Sequence, residues 1–282
     1  MSDCEYSIDK LHDILFMMLC DLKECCDRHG ISFMLSGGTS LGAVRGGDFI
    51  PWDDDVDIMM LRSEYCKLRA AVEEDLSDKY YIEDPENAVC KHVMPRLFLK
   101  GTVYQDKYMI AYPGGKEVFI DIFPIDKMPK GRALLRAVRY RLCCVGLECV
   151  FRYKWPSPII QQEIKEKKYG RPGHYRLMRF LGFFFAIFGE KFYRKKIQRI
   201  AQYTKDTPYS GIPLSRRYNG EKFENSVWTE MVEVKLRDVE FNVPKRYDMY
   251  FENLYGPDYM TPHPPDKRVT HHPAVMDFGK YD

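Results

Sequence analysis

The sequence predicts an α/β (α+β) protein, with a mixed β-sheet core flanked by helices and a basic, aromatic-rich helical segment. Three observations support this prediction. Helical apolar periodicity opens the chain, short strand-like runs separated by turn residues follow it, and Arg, Lys, Phe and Tyr crowd the middle. A chain of 282 residues that is 45% hydrophobic can also bury a sizeable core.

The charge distribution divides the chain into three predicted parts. Residues 1–130 carry 15 basic and 24 acidic side chains, whereas residues 131–200 carry 17 and 4. We predict a core over 1–130, a basic aromatic helical segment over 131–204, and a C-terminal part over 205–282 that packs back on the core. The basic segment calls for an anionic counterpart: a membrane surface, a phosphate-rich acceptor or nucleic acid.

The first elements resemble a phosphate-holding device. Apolar residues recur every three or four positions from Ile8 to Cys25, which predicts a helix that stops at His29-Gly30. A short strand over 31–35 then runs into Ser36-Gly37-Gly38-Thr39-Ser40, a glycine turn at the start of a second helix. Backbone N–H groups there would favour a phosphate. An ordinary tight turn is the alternative.

Three carboxylates follow on two predicted strands. Residues 49–61 predict a turn at Pro51 and then an alternating strand, with Asp53, Asp55 and Asp57 on one face. The apolar run from Val118 to Ile125 predicts a second strand, interrupted only by Asp121. If these strands pair, Asp55, Asp57 and Asp121 form an oxygen-rich site for Mg²⁺. For the Asp-x-Asp motif alone, a solvated acidic turn is the alternative.

The remaining elements are predicted from periodicity and from Pro and Gly breaks. A helix is expected over 62–76 and a strand over 92–100. Two or three helices are expected over 131–204, with breaks at Trp155-Pro156-Ser157-Pro158 and from Gly170 to Gly173. The C-terminal part is expected to contain a strand at 239–243, a helix at 245–255 and a Pro/His-rich tail.

Nothing in the sequence predicts export or a membrane span. The N-terminus is acidic rather than signal-like, and the longest strongly apolar run, Leu181 to Gly189, is far shorter than the ~20 residues of a spanning helix. The nine cysteines predict reduced thiols in a cytoplasmic protein. Cys143, Cys144 and Cys149 could supply three zinc ligands, but core thiols fit their helical setting better.

The stretch from Arg176 to Arg199 combines an aromatic centre with basic flanks. It predicts either a buried helix or a helix lying in the interface of an anionic membrane. The second interpretation would place the protein peripherally on the inner face of the membrane.

Three segments resemble the LicD family. LSGGTSLGAVRGGDFIPWDDDVDI (35–58) resembles the family signature, and VFIDIFPID (118–126) and VPKRYDMYFENLYGPDYM (243–260) fit the same family. The resemblance covers roughly residues 8–126 and 239–272. It implies a nucleotidyltransferase-like fold that moves a phospho-alcohol, such as phosphocholine from CDP-choline, to a hydroxyl. The acceptor would be a cell-surface glycan, such as teichoic acid or lipopolysaccharide, or its lipid-linked precursor.

The resemblance also implies roles for individual residues. Asp55 and Asp57 are similar to a metal-binding pair and Asp121 to the third acid, which would also be the general base. The expected cofactor is Mg²⁺ (or Mn²⁺), as two ions that serve in-line displacement at phosphorus. The remaining candidates would bind substrate: Gly37, Gly38, Thr39, Ser40, Arg45, Arg96, Lys100, Arg268 and His271.

Two other functions stay open on the sequence. The same acids would serve a nucleotidyltransferase that acts on a small molecule or sugar phosphate. Alternatively, the fold would be a scaffold for a non-catalytic membrane or nucleic-acid binding module built on residues 131–200. The phospho-alcohol transferase that the LicD resemblance implies would use a CDP-alcohol donor and a glycan or lipid-linked glycan acceptor, with no nucleic acid partner.

Overall fold

The computed structural model describes residues 7–85, 92–107, 110–268 and 273–282. The helices in these ranges are α1 (Ile8–His29), α2 (Gly37–Gly46), α3 (Arg62–Asp75), α4 (Leu134–Lys154), α5 (Pro158–Lys165), α6 (Pro172–Phe185), α7 (Gly189–Ala201), α8 (Asn225–Thr229) and α9 (Tyr247–Tyr255). The strands are β1 (Met34–Leu35), β2 (Asp57–Leu61), β3 (Tyr80–Glu83), β4 (Arg96–Leu99), β5 (Val103–Gln105), β6 (Phe119–Lys127), β7 (Tyr209–Gly211), β8 (Lys222–Glu224), β9 (Met231–Leu236), β10 (Val239–Pro244) and β11 (Val275–Asp277). Two short 3₁₀ helices, Pro265–Lys267 and Gly279–Tyr281, lie near the C-terminus.

A mixed β-sheet forms the centre of the molecule, which confirms the predicted fold class. Its strands follow the order β1-β2-β6-β4-β3, and β7 and β8 extend it from the end of β6. β2 and β6 are parallel, whereas the other neighbours are antiparallel. The pairs β9–β10 and β5–β11 form two separate two-stranded sheets.

Helix α1 covers one face of this sheet. Its buried stripe includes Leu11, Leu15, Met18 and Leu22, at the predicted three- and four-residue spacing. The helix ends where Gly30 adopts a left-handed conformation, with φ of 60°. A side chain at this position would be disfavoured, so the chain turns here toward β1.

The strands around the acidic motif are shorter than predicted. The strand expected over 31–35 pairs only at Met34–Leu35, and the one expected over 49–61 begins only at Asp57. Residues 53–56 form no ladder because β1 is too short to pair with them and β6 joins β2 only from Asp121 onward. The predicted alternation persists nevertheless, since Asp54 and Val56 are buried.

The basic segment folds into four helices rather than two or three. The additional break at residues 186–188 separates α6 from α7, so the stretch from Arg176 to Arg199 is two helices and not one. Gly189, with φ of 71°, allows the chain to reverse there. Tyr140, Phe151 and Ile197 of this segment belong to an apolar cluster that also contains Met128 and Leu214, which lie outside the segment. In the described ranges, no helix combines the length and the apolar character needed to cross a bilayer.

Candidate active site

The structure brings together Asp55, Asp57 and Asp121. One carboxylate oxygen from each lies within 4.8 Å of the others. The parallel pairing of β2 and β6 is responsible, because its register sets Asp57 directly opposite Asp121. Asp55, two residues before Asp57 on an alternating segment, points to the same side. We refer to these three residues as the acidic triad.

The triad is electrostatically costly without a cation. Burial raises the pKa of Asp57 well above its usual value, and the neighbouring carboxylates of Asp55, Asp121, Asp53 and Glu221 raise it further. Clustered carboxylate oxygens are the donors that a hard divalent cation prefers. The residues therefore fit Mg²⁺ or Mn²⁺.

Arg96 lies on the next strand and partly neutralises the triad. The register of β4 with β6 sets it opposite Asp121. Its Nε donates to Asp121 Oδ1 at 2.5 Å and its Nη2 to Asp121 Oδ2 at 3.1 Å. The guanidinium also lies 3.7 Å from the ring centroid of Phe119. The structure thus places this predicted phosphate ligand at the site, bound to a candidate metal ligand.

The two glycines at the start of α2 let the acids approach the helix. A Cβ atom on Gly37 would lie 2.6 Å from Asp57 Oδ2, and one on Gly38 would overlap the Asp53 carboxylate. Gly37 also has φ of 51°, which disfavours any other residue. The glycine turn therefore serves the acids directly, in addition to any role toward phosphate.

Thr39 and Ser40 are buried, and their hydroxyl groups bond within the fold. Thr39 Oγ1 accepts from the backbone N–H of Asp57 at 3.0 Å, which ties α2 to the start of β2. Ser40 Oγ donates to the carbonyl of Gly37 at 3.0 Å. The N–H of Gly37 donates to the Tyr250 hydroxyl and that of Ser40 to the carbonyl of Ser36. A phosphate contact by this turn would therefore come chiefly from the backbone N–H groups of Gly38 and Thr39, which lie in the first turn of the helix.

A cavity of about 100 Å³ opens beside the triad. The hydroxyl of Tyr104, on its wall, donates to Asp54 Oδ2 at 3.1 Å and so anchors the acidic segment. The cavity gives a small polar substrate group direct access to two of the three triad acids. Its lining consists of Asp55, Arg96, Tyr104, Asp106, Gly115, Phe119 and Asp121.

Two predicted basic residues form hydrogen bonds with backbone carbonyls rather than with the triad. Lys100 lies four positions beyond Arg96, about 13 Å along the strand direction, and donates to the carbonyl of Ser77 at 2.5 Å. Arg45 lies in the last turn of α2, at the opposite end from the glycines, and donates to the carbonyl of Tyr259 at 2.5 Å. Burial lowers the pKa of Arg45, and Tyr255, which itself interacts with Asp57, acts in the opposite direction. Arg45 therefore lies near Tyr255, and the roles of Arg45 and Lys100 toward substrate stay predictions.

Of the two C-terminal candidates, the structure describes Arg268 but not His271. The guanidinium of Arg268 lies 4.0 Å from the ring centroid of Trp52, and its Nε donates to the carbonyl of His263. Trp52 directly precedes the acidic segment, so Arg268 lies next to the site. His271 lies outside the described residues.

Three residues that the sequence did not single out also lie at the site. The Tyr250 hydroxyl accepts from the backbone N–H of Gly37 at 3.3 Å and donates to Glu221 Oε2 at 3.1 Å. Burial raises the pKa of Tyr255, and Asp57 is the largest of the nearby charges that raise it further. Both tyrosines belong to the 243–260 motif, which could have indicated them. Glu221 lies in a stretch with no recognisable pattern.

Cys143, Cys144 and Cys149 do not form a metal site with other ligands in the part of the chain that is described. Cys149 is fully buried, and its Sγ lies 3.6 Å from Met178 Sδ. Burial raises the pKa of Cys144 to about 11. These features fit core thiols.

Comparison with known proteins agrees with the motifs. Residues 30–134 match the family model described as LicD/FKTN/FKRP, nucleotidyltransferase domain. The chain is 25% identical over 260 residues to the lipopolysaccharide cholinephosphotransferase LicD of Haemophilus influenzae, covering 88% of this chain and 89% of that protein. It is also 28% identical over 118 residues to an uncharacterised protein of Rickettsia prowazekii, covering 41% of this chain and 40% of the other. The resemblance to the LicD family is confirmed.

Proposed function

We propose that this protein, whose residues 30–134 match the LicD nucleotidyltransferase domain, transfers phosphocholine from CDP-choline to a glycan hydroxyl and releases CMP. The proposed acceptor is lipopolysaccharide or its lipid-linked precursor. Similarity to a lipopolysaccharide cholinephosphotransferase over 88% of this chain supports both the reaction class and the acceptor class.

One observation carries the proposal more than any other. The register that sets Asp57 opposite Asp121 gathers three carboxylates from two strands and a preceding loop beside a cavity. Such a cluster is unfavourable in a fold unless a cation or a positively charged substrate compensates it. A solvated acidic turn, the alternative for the motif alone, does not account for Asp121, which is only 6% exposed.

In this proposal, Asp55, Asp57 and Asp121 hold two Mg²⁺ (or Mn²⁺) ions. When bound, the ions would neutralise the donor diphosphate and make the acceptor hydroxyl a better nucleophile. The N–H groups at the start of α2 would bind a phosphate oxygen. Asp121 would accept the proton of the acceptor hydroxyl. For this, the hydrogen bonds from Arg96 to the Asp121 carboxylate would have to break.

Arg96 and Arg268 are the proposed ligands of the donor diphosphate. Arg96 lines the cavity, and its guanidinium lies 3.7 Å from the ring centroid of Phe119. Arg268 lies on Trp52 at the edge of the acidic segment. A guanidinium presents paired N–H donors that match phosphate oxygens.

The decisive experiment measures CMP release from CDP-choline, with CDP-ethanolamine, CDP-glycerol and CDP-ribitol as competitors, in Mg²⁺, in Mn²⁺ and in EDTA. We expect metal-dependent release, with CDP-choline preferred. Asp57→Asn and Asp121→Asn should lower the rate roughly 1,000-fold or more, since a lost ligand costs several kcal/mol at the transition state. Asp206→Asn, at an exposed carboxylate outside the site, is the matched control.

Two results would replace the proposal. Attachment of the nucleotide to the acceptor with release of pyrophosphate, seen by mass analysis, would indicate a nucleotidyltransferase. Absence of metal-dependent turnover of every CDP-alcohol, together with nucleic acid binding that weakens steeply with salt, would indicate a non-catalytic module.

A lipid-linked acceptor would require work at a membrane, so we also propose a peripheral location on its inner face. The stretch from Arg176 to Arg199 supports this part of the proposal, because Phe180, Phe183 and Phe184 are each at least half exposed. Large aromatic side chains in contact with water are a feature of interfacial helices.

A further inference from the structure

Helices α4, α6 and α7 expose large apolar side chains outside the catalytic site. Scattered exposed apolar residues are normal, whereas a contiguous set marks an interaction surface. Six side chains of this segment are between 60% and 78% exposed: Leu134, Leu135, Leu142, Phe180, Ile187 and Phe188.

These exposed side chains include two aromatic pairs and one set of α4 residues. The ring centroids of Phe180 and Phe184 are 5.5 Å apart, and those of Phe188 and Phe192 are 5.1 Å apart. Leu135, Val138 and Leu142 are spaced three and four residues apart and so share one face of α4. A cleft between α4 and α7 connects the α4 set with the Phe188–Phe192 pair, since both Leu142 and Phe192 line it.

Basic side chains surround this cleft, whose volume is about 620 Å³. Arg139, Lys196 and Arg199 line it and are exposed. Within the described ranges, no ion pair joins any of the three to an acidic side chain. By contrast, Arg136 turns inward and donates to the carbonyl of Ile200 at 2.6 Å.

We propose that this surface docks onto an anionic membrane, with a lipid headgroup phosphate in the cleft. We call it the docking face and define it as the exposed apolar residues of α4, α6, the α6–α7 turn and α7 together with the cleft. Arg139, Lys196 and Arg199 would bind the phosphate, while Ile187 and Phe188 at the α6–α7 turn enter the acyl boundary.

Other occupants satisfy only half of these observations. A nucleic acid would match the cations but leave the exposed leucines and phenylalanines in water. A second copy of the chain would bury the apolar residues but bring two sets of unpaired cations together, which is unfavourable. An anionic bilayer supplies apolar depth and negative charge at the same surface.

The docking face extends the proposed function, because a lipid-linked acceptor would be presented at this membrane. The face includes α4, whose leucines lie outside the stretch from Arg176 to Arg199. Binding itself does not depend on turnover, so the two proposals can fail separately.

The test is flotation of the full-length protein with vesicles of phosphatidylcholine alone or of an equimolar mixture with phosphatidylglycerol. We expect binding to the mixed vesicles and much weaker binding to phosphatidylcholine alone. The triple variant Arg139→Gln, Lys196→Gln, Arg199→Gln should bind the mixed vesicles roughly 100-fold more weakly, at ~1 kcal/mol per lost cation. The matched control, Lys165→Gln, Lys235→Gln, Lys280→Gln, removes three exposed lysines elsewhere and should bind as the wild type does.

A second variant tests the apolar group. Ile187→Ser with Phe188→Ser should release the protein from both kinds of vesicle, with the circular dichroism spectrum unchanged.

Equal binding by the two triple variants, or no vesicle binding by the wild type, would overturn the proposal. A wild-type dimer that the serine variant dissociates would assign the face to self-association instead. CMP release from CDP-choline without vesicles should be the same in all variants, and its absence in all of them would count only against the proposed function.

Discussion

The geometry of the site depends on two glycines having no side chain. Gly37 and Gly38 lack the Cβ atoms that would meet the carboxylates of Asp57 and Asp53. At Gly46, the other end of the same helix, a Cβ would meet no atom of the described residues within 4 Å apart from those of its chain neighbours and the local helix backbone. One helix therefore contains both constrained and unconstrained glycines, and these can be compared directly.

We expect Gly38→Ala to lower activity by about 100-fold or more, because the methyl group displaces Asp53 and, with it, the acidic segment. A 1 Å misplacement of a catalytic group can cost this much. Gly46→Ala should keep full activity and stabilise the helix by about 0.5–1 kcal/mol. CMP release and thermal unfolding of both variants check this. Equal activities would show that the acids tolerate the displacement.

Asp57 illustrates a conflict between stability and function. Its pKa is raised chiefly by burial, so the folded state holds the proton more tightly than the unfolded state does. The protonated side chain therefore makes its largest favourable contribution to the unfolding free energy at low pH. This contribution falls as pH rises from about 4, where an unperturbed aspartate titrates, toward the raised value.

Asp57→Asn should therefore stabilise the metal-free protein near neutral pH, by about 1–3 kcal/mol, while abolishing activity. At pH 4 the two proteins should have similar stability, since the wild-type side chain is then largely protonated. Denaturant unfolding in EDTA at both pH values measures the difference. A variant less stable than wild type at pH 7 would contradict the interpretation.

At the scale of elements, α9 supports the site through hydrogen bonds of its Tyr250 side chain. Tyr250 is fully buried, and burial raises its pKa, so it keeps its proton and can donate to Glu221. The same hydroxyl lies 3.1 Å from Ser36 Oγ and accepts from the N–H of Gly37. The C-terminal helix thus fixes the first turn of α2, 213 residues earlier in the chain.

Tyr250→Phe removes this hydroxyl and leaves polar groups of Ser36 and Glu221 without it. We expect a loss of about 1–3 kcal/mol in stability and a lower kcat in CMP release. Tyr247→Phe, on the same helix, is the control and should change neither quantity by much. Loss of stability with an unchanged kcat would mean that Tyr250 supports the fold but not the geometry of the site.

At the scale of the whole molecule, charge is separated into two regions. The core carries an acidic cluster and the helical segment a basic surface, although the net charge is only +2. Each region suits a different partner: divalent cations for the first and anionic lipid for the second. The three-part division of the chain on which this contrast rests stays a prediction.

Cation binding to the folded state should stabilise the whole molecule. We expect Mg²⁺ at about 100 times its dissociation constant to contribute about 2.7 kcal/mol and to raise the unfolding temperature. The increase should disappear in Asp55→Asn and persist in Asp206→Asn. Calorimetry in Mg²⁺ and in EDTA checks this without turnover. An equal increase in Asp55→Asn would place the cation elsewhere.

Local patterns in the sequence determined a good deal about this protein. They predicted α1, α3, α9 and β6 closely and identified Asp55, Asp57 and Asp121, because periodicity and a lone acid in an apolar strand are local signals. The boundaries of β1 and β2 were less accurate, since pairing depends on the length of the neighbouring strand. The long motif over residues 35–58 also indicated the resemblance to the LicD family.

Only the tertiary structure decided what lies next to the acids. Arg96 reaches Asp121 through the register of β4, whereas Lys100 on the same chain segment points to Ser77. Glu221 and Tyr250 arrive from distant parts of the chain. Contacts of this kind depend on how strands and helices pack across the sheet, and residues far apart in sequence carry no local pattern that indicates them.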